Sequence, residues 1–120
     1  MAFKVSFSKT FEWPVEYSYV AETGGELMTV KFIAKFARDR AIIDKIQEKN
    51  EDGELKYTDD DACKFIVKGW KDVQDENGND IPFSEEALAD LLRQCTGLTQ
   101  TFINKWSTSI QKAQEKNLKR

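Results

Sequence analysis

A chain of 120 residues is long enough for one domain with one core. Its make-up, 40% hydrophobic and 32% charged with a net charge of -3, is ordinary for a globular protein and gives no general basis for binding nucleic acid, which needs a basic patch to displace counterions from phosphates. With no histidine, and with Cys63 and Cys95 standing apart from any Cys-x-x-Cys cluster, the sequence lacks the commonest general base and argues against a structural zinc site or a disulfide framework.

Phe3, Val5 and Phe7 alternate with Lys4, Ser6 and Ser8, the period of two of a strand, and Phe11 and Trp13 carry it to Pro14. Pro14 cannot donate to a sheet ladder, so an edge or a break is expected there. Val15, Tyr17 and Tyr19 alternate again before a turn at Gly24-Gly25. From Leu27 to Ala37 the pattern puts Met28, Val30, Phe32, Ala34 and Phe36 on one face, with Thr29, Lys31 and Lys35 mostly opposite. One face reads as buried and the other as wet, as in a small antiparallel sheet.

From about Arg38 the period changes. Ile42, Ile43 and Ile46 form the stripe of a short helix that the run Asn50 to Glu54 ends. Thr58 reads as an N-cap, with Asp59, Asp60 and Asp61 in the first turn, where the helix dipole favours negative charge. Cys63 to Val67 fits a helix or a strand. Asn77-Gly78 signals a tight turn, Ser84 a second N-cap, and Leu88, Leu91, Leu92 and Cys95 one apolar face that Gly97 ends. The last helix starts near Thr99 and closes on a basic tail suited to the helix dipole. The expected fold is α+β: a single domain over 1–120, with a small N-terminal antiparallel sheet (1–37 mainly β) packed against C-terminal helices (38–120 mainly α, with a turn near 75–83). Trp70 is expected to pack the sheet against Leu88 and Leu92.

Candidate chemistry is thin. Glu48 to Asp59 resembles a calcium loop, with Asn50, Asp52 and Gly53 at suitable places. It fails at the ends, where Glu48 replaces the usual Asp and Asp59 is too short for the bidentate Glu, and Lys56 brings in positive charge. A solvated acidic loop is the better reading. Asp59-Asp60-Asp61 is explained by the start of a helix rather than by an acid dyad. Ser84 lies on no nucleophile elbow, a cysteine nucleophile would lack its histidine, and no phosphate loop is present. The expectation is a non-enzyme with no catalytic, metal or cofactor residues. No run approaches the ~18 apolar residues of a membrane span, and no signal peptide is visible, so a soluble protein of a reducing cytoplasm is expected.

Aromatic residues carry more information. Phe102, Trp106 and Ile110 recur at a spacing of four on the last helix. The stripe can pack within the chain or, with nothing after it to cover it, serve a partner groove or a second copy as protein-binding residues.

The ordered motifs resemble the phage tail assembly chaperone family. Phe11 to Val15 (FEWPV), the Gly-Gly turn and Val30 to Asp39 (VKFIAKFARD) look like its opening. Val67, Trp70, Val73, Asp75 and Gly78, followed by Pro82, Phe83, Ser84, Glu86, Leu88, Leu91 and Leu92, match its later stretches. The chain departs from the pattern at Gly97-Leu98-Thr99, where members often have a proline, and in the longer acidic loop before Asp61. The resemblance implies a protein that binds the tape-measure protein, keeps it soluble and helps recruit tail-tube subunits, in the cytoplasm of the bacterial host. It implies absence from the finished virion; composition and the lack of an apolar span give the further expectation of neither a nucleic-acid nor a membrane partner. A structural minor tail component and a small interaction domain of other function remain as alternatives.

Overall fold

The alternating first third of the chain becomes one long antiparallel hairpin. The computed structural model describes residues 9–21 and 24–118, with side chains described as far as residue 113. The elements are β1 (Thr10–Val20), β2 (Leu27–Ala37), α1 (Arg40–Ile46), α2 (Asp59–Ile66), β3 (Val67–Lys71), α3 (Glu85–Gln94) and α4 (Leu98–Leu118). The expected alternation at Phe3, Val5 and Phe7 lies outside the described residues, as do the side chains of the basic tail.

β1 pairs with β2 from Thr10↔Ala37 to Val20↔Leu27, and β3 adds to the other side of β2, giving the order β1-β2-β3. Pro14 sits inside β1, opposite Ile33, so the strand continues through it. An edge strand tolerates the missing donor. The register puts Val15, Tyr17, Phe32, Ala34 and Phe36 on one face, buried, and Glu12, Glu16, Lys31 and Lys35 on the other, exposed. Gly69 lies beside Lys35, where a Cβ would come within 3.3 Å of the Lys35 Cβ, a tight contact that glycine relieves as β3 approaches β2.

The ambiguous run Cys63 to Val67 proves to be both forms. α2 ends at Ile66, and Val67 turns extended (φ -91, ψ 117) to open β3. The second part of the chain therefore contributes a strand to the sheet. Both expected caps form: Thr58 and Asp61 make a reciprocal capping box, and the Ser84 hydroxyl accepts from the Ala87 N–H. The acids that open α2 also tie it to α4, because Thr99 Oγ1 donates to Asp60 (2.6 Å) and Gln100 Nε2 to Asp59 (2.6 Å). α1 is shorter than its sequence pattern suggests, ending at Ile46 before the Asn50 turn. One hydrophobic cluster, including Val15, Phe36, Ile66, Leu88 and Phe102, lies between the sheet and the helices. No helix among the described residues is long and apolar enough to cross a membrane.

Candidate binding surface

The aromatic stripe of α4 faces inward. Phe102 is fully buried, with its ring edge-to-face against Phe32 (5.8 Å) and Phe36 (6.3 Å). Trp106 is 8% exposed, and its indole N–H donates to the Ala37 carbonyl at 3.2 Å. Ile110 is half-buried against the same cluster. The sheet therefore covers the helix face that the sequence left without a cover. Phe102 and Trp106 are part of the core.

Trp70 is also part of the scaffold, although its nearest support differs from the expected one. It is half-buried, stands edge-to-face on Phe83 at 4.9 Å, and donates its indole N–H to the Ile81 carbonyl at 2.7 Å. These contacts close the loop between β3 and α3. In that loop Asp75 Oδ1 accepts from the N–H groups of Asn77 and Asn79, so the Asn-Gly region is a self-contained turn. The calcium-like loop closes on itself in the same way. Asn50 Oδ1 accepts from Asp52 and Glu54 N–H, and Lys56 pairs with Glu48 at 3.8 Å.

The thiols are shielded. Cys63 is fully buried and donates to the Thr99 carbonyl at 3.4 Å. Burial, aided by the Asp60 and Asp59 carboxylates, pushes its pKa up to about 12. Burial also raises half-buried Cys95. Neither thiol is poised as a thiolate nucleophile at neutral pH.

The exposed apolar surface gathers at the tip of the hairpin. Along the inner face, Phe36 is fully buried and Phe32 is 7% exposed, whereas Val30 is 42% and Met28 43% exposed. β1 follows the same trend, from Tyr17 at 9% to Tyr19 at 42%. Among the described residues, five of the six large exposed hydrophobic side chains belong to this tip: Tyr19, Val20, Leu27, Met28 and Val30. Tyr19, Met28 and Val30 continue the inner face, while Val20 and Leu27, one position out of phase, lie on the opposite face, so apolar side chains are exposed on both sides of the tip.

The tip forms one side of an open groove of about 1070 Å³. Tyr17, Tyr19, Val30 and Phe32 line it from the sheet, and Leu91 and Leu98 from the helices. Asp72, Asp75 and Glu76 stand along its wall, with Lys31 the lone base. Tyr17 ties the sheet to the α3–α4 turn by donating its hydroxyl to the Thr96 carbonyl at 2.8 Å, and burial raises the pKa of this phenol. A smaller cleft of about 490 Å³ between α2 and α3 is lined mainly by charged residues, including Asp60, Lys64, Glu86 and Arg93.

Sequence reasoning missed the tip as a surface. Its alternation identified the inner face, but alternation does not say how far the covering helices reach.

No curated protein and no solved structure matches the chain. A family model, described as YdaY prophage protein, matches residues 31–120, from within β2 through all the helices. The hairpin tip up to Val30 lies outside the matched residues. With 90 of its 120 residues matched, the chain belongs to the YdaY prophage protein family.

Proposed function

We propose that this prophage protein is a tail assembly chaperone. In this reading it binds the tape-measure protein, keeps it soluble in the host cytoplasm, helps bring tail-tube subunits to it, and does not remain in the finished virion. Membership of a prophage family supports the phage setting. The ordered motifs from FEWPV to the helix starting at Ser84 supply the resemblance to tail assembly chaperones.

The observation that carries the reading is the bare hairpin tip, where Tyr19, Val20, Leu27, Met28 and Val30 are exposed on an otherwise charged chain. A holding protein needs apolar anchors for its client and a charged exterior for its own solubility. It acts by binding and performs no chemistry. The acids Asp59, Asp60 and Asp61 are engaged in capping and helix ties, and both thiols are held protonated.

The test is co-expression with the tape-measure protein of the same prophage. The expected result is a soluble tape-measure protein that co-purifies with the chain, and no chain detected by mass spectrometry in purified particles. A tape-measure protein that stays insoluble and uncomplexed overturns the proposal. Stoichiometric recovery of the chain in particles replaces it with a structural minor tail component.

A further inference from the structure

We infer that the groove takes an extended polypeptide segment by strand addition, and that this segment alternates apolar with basic residues. The inference rests on the tip as a binding surface and adds the form and charge of what it binds.

The first argument is the unfinished sheet. β1 pairs along the whole of β2, from Leu27 to Ala37, but β3 pairs only with Ile33 to Phe36. β3 stops because Asp72 turns into the left-handed region at φ 65, the only non-glycine residue with positive φ among the described residues. The chain then leaves the sheet, and no described strand pairs with the second edge of β2 from Leu27 to Phe32. Those six residues match the ordinary length of a strand, about five to six. A strand edge exposes unpaired N–H and C=O groups that an incoming strand can satisfy and an incoming helix cannot.

The second argument is side-chain chemistry. A strand continuing the line of β3 would place alternate side chains over the inner face, beside Val30 and Phe32 and facing Leu91 and Leu98. Its other side chains would lie on the opposite face of the sheet, beside Lys31, while Asp72, Asp75 and Glu76 line the same groove as Val30 and Phe32. Against these three acids stands only Lys31, whose ammonium already lies 3.5 Å from the Glu16 carboxylate. The groove is therefore acidic as well as apolar, and basic residues complement it.

The test uses synthetic peptides about ten residues long, enough to span a strand. One alternates Val and Thr with Lys. A second has the same composition arranged with the helical period. A third alternates with Glu in place of Lys. Each is titrated into the full chain while backbone amide exchange is followed by NMR.

The alternating Lys peptide is expected to slow exchange within Leu27 to Phe32 by about tenfold or more and to weaken as salt is added. The Glu peptide is expected to bind at least about tenfold more weakly. Val30→Asp and Glu76→Lys, both at exposed positions, should each reduce binding while leaving the circular dichroism spectrum unchanged.

Equal or tighter binding of the helical-period peptide overturns the inference. So does protection outside the β2 edge, or no binding at millimolar peptide. Protection of Leu27 to Phe32 in the chain alone, with a doubled mass by sedimentation, also overturns it, in favour of a second copy. None of these results bears on co-purification with the tape-measure protein, so the two proposals fail separately.

Discussion

One hairpin serves as core at one end and as surface at the other. From Phe11 and Phe36 to Val15 and Phe32 its inner face is roofed by α4 and α2, with Phe102 set edge-on between Phe32 and Phe36 and Trp106 tied to the Ala37 carbonyl. From Tyr19 and Met28 to Val20 and Leu27 the same two strands continue, still paired, with no helix over them. The residue types hardly change between the halves, since both are built from aromatic and β-branched or aliphatic side chains. What changes is whether another element reaches them. Strand pairing and a few side-chain contacts, such as Ser18 with Thr29 at 2.9 Å, hold the tip in shape, while burial stabilises the other end.

That contrast predicts unequal costs for equal chemistry. Phe102→Ala removes a fully buried ring and should cost about 3–5 kcal/mol in urea unfolding. Val30→Ala removes a side chain that is 42% exposed and should cost under about 1 kcal/mol. Comparable losses would mean that the tip is packed like the core, and the distinction between the halves would fail.

Trp70 lies between these extremes, on the strand that completes the covered half. Trp70→Ala loses the contact with Phe83 and the hydrogen bond to Ile81, at an expected cost of about 2–3 kcal/mol. Trp70→Phe keeps an aromatic ring but loses the N–H and part of the indole's volume, so about 1–2 kcal/mol is expected. If both substitutions cost the same, the hydrogen bond rather than the ring holds β3 to the following loop.

Local rules made much of the fold legible in the sequence. The faces of β1 and β2, the Thr58 and Ser84 caps, the Gly24-Gly25 and Asn77-Gly78 turns and the α3 stripe all follow from short-range patterns. Four features did not. β3 is a five-residue run containing glycine, and only its partner β2 makes it a strand. The stripe Phe102, Trp106, Ile110 announced an apolar face, but whether sheet or partner covers it depends on tertiary placement. The exposed tip was hidden for the converse reason. Tyr19, Met28 and Val30 look like core residues because nothing local records where the helices stop. The unfinished β2 edge depends on the single backbone conformation of Asp72, which composition does not reveal.

A smaller effect separates the helices that form the roof from the sheet they cover. Thr58→Ala removes one half of the capping box of α2 and should cost about 1 kcal/mol, read from urea unfolding. Because α2 packs beneath the covered half only, amide exchange at the tip should stay unchanged while exchange in α2 accelerates. Acceleration at both places would show that the tip borrows stability from the roof.

The smallest expected effect lies on the wet face. Glu12 on β1 reaches across β2 to Lys71 on β3, with Oε2 2.7 Å from Nζ, whereas Lys31 and Glu16 in the two-stranded half stand 3.5 Å apart. The Lys71 hydrogen bond, helped by the charges of Lys71 and Lys35, holds the Glu12 carboxyl below its ordinary value of 4.5 despite some desolvation. A depressed carboxyl favours the folded state above the unfolded pKa, and that contribution is lost as pH falls through the folded value. The Glu12 bond likewise raises Lys71, so the matching loss at the other end comes as pH rises through the raised lysine pKa. Both groups are solvent-exposed, so the effect should be slight and should shrink further in salt. Glu12→Gln should lower Tm by a small amount at neutral pH, and the gap from the parent chain should close in acid below the ordinary carboxyl range. Glu16→Gln should do less at neutral pH, because its ion pair is longer and joins only two strands. Equal responses would mean that neither carboxylate is coupled to the third strand, and that the two halves of the sheet differ on their buried face alone.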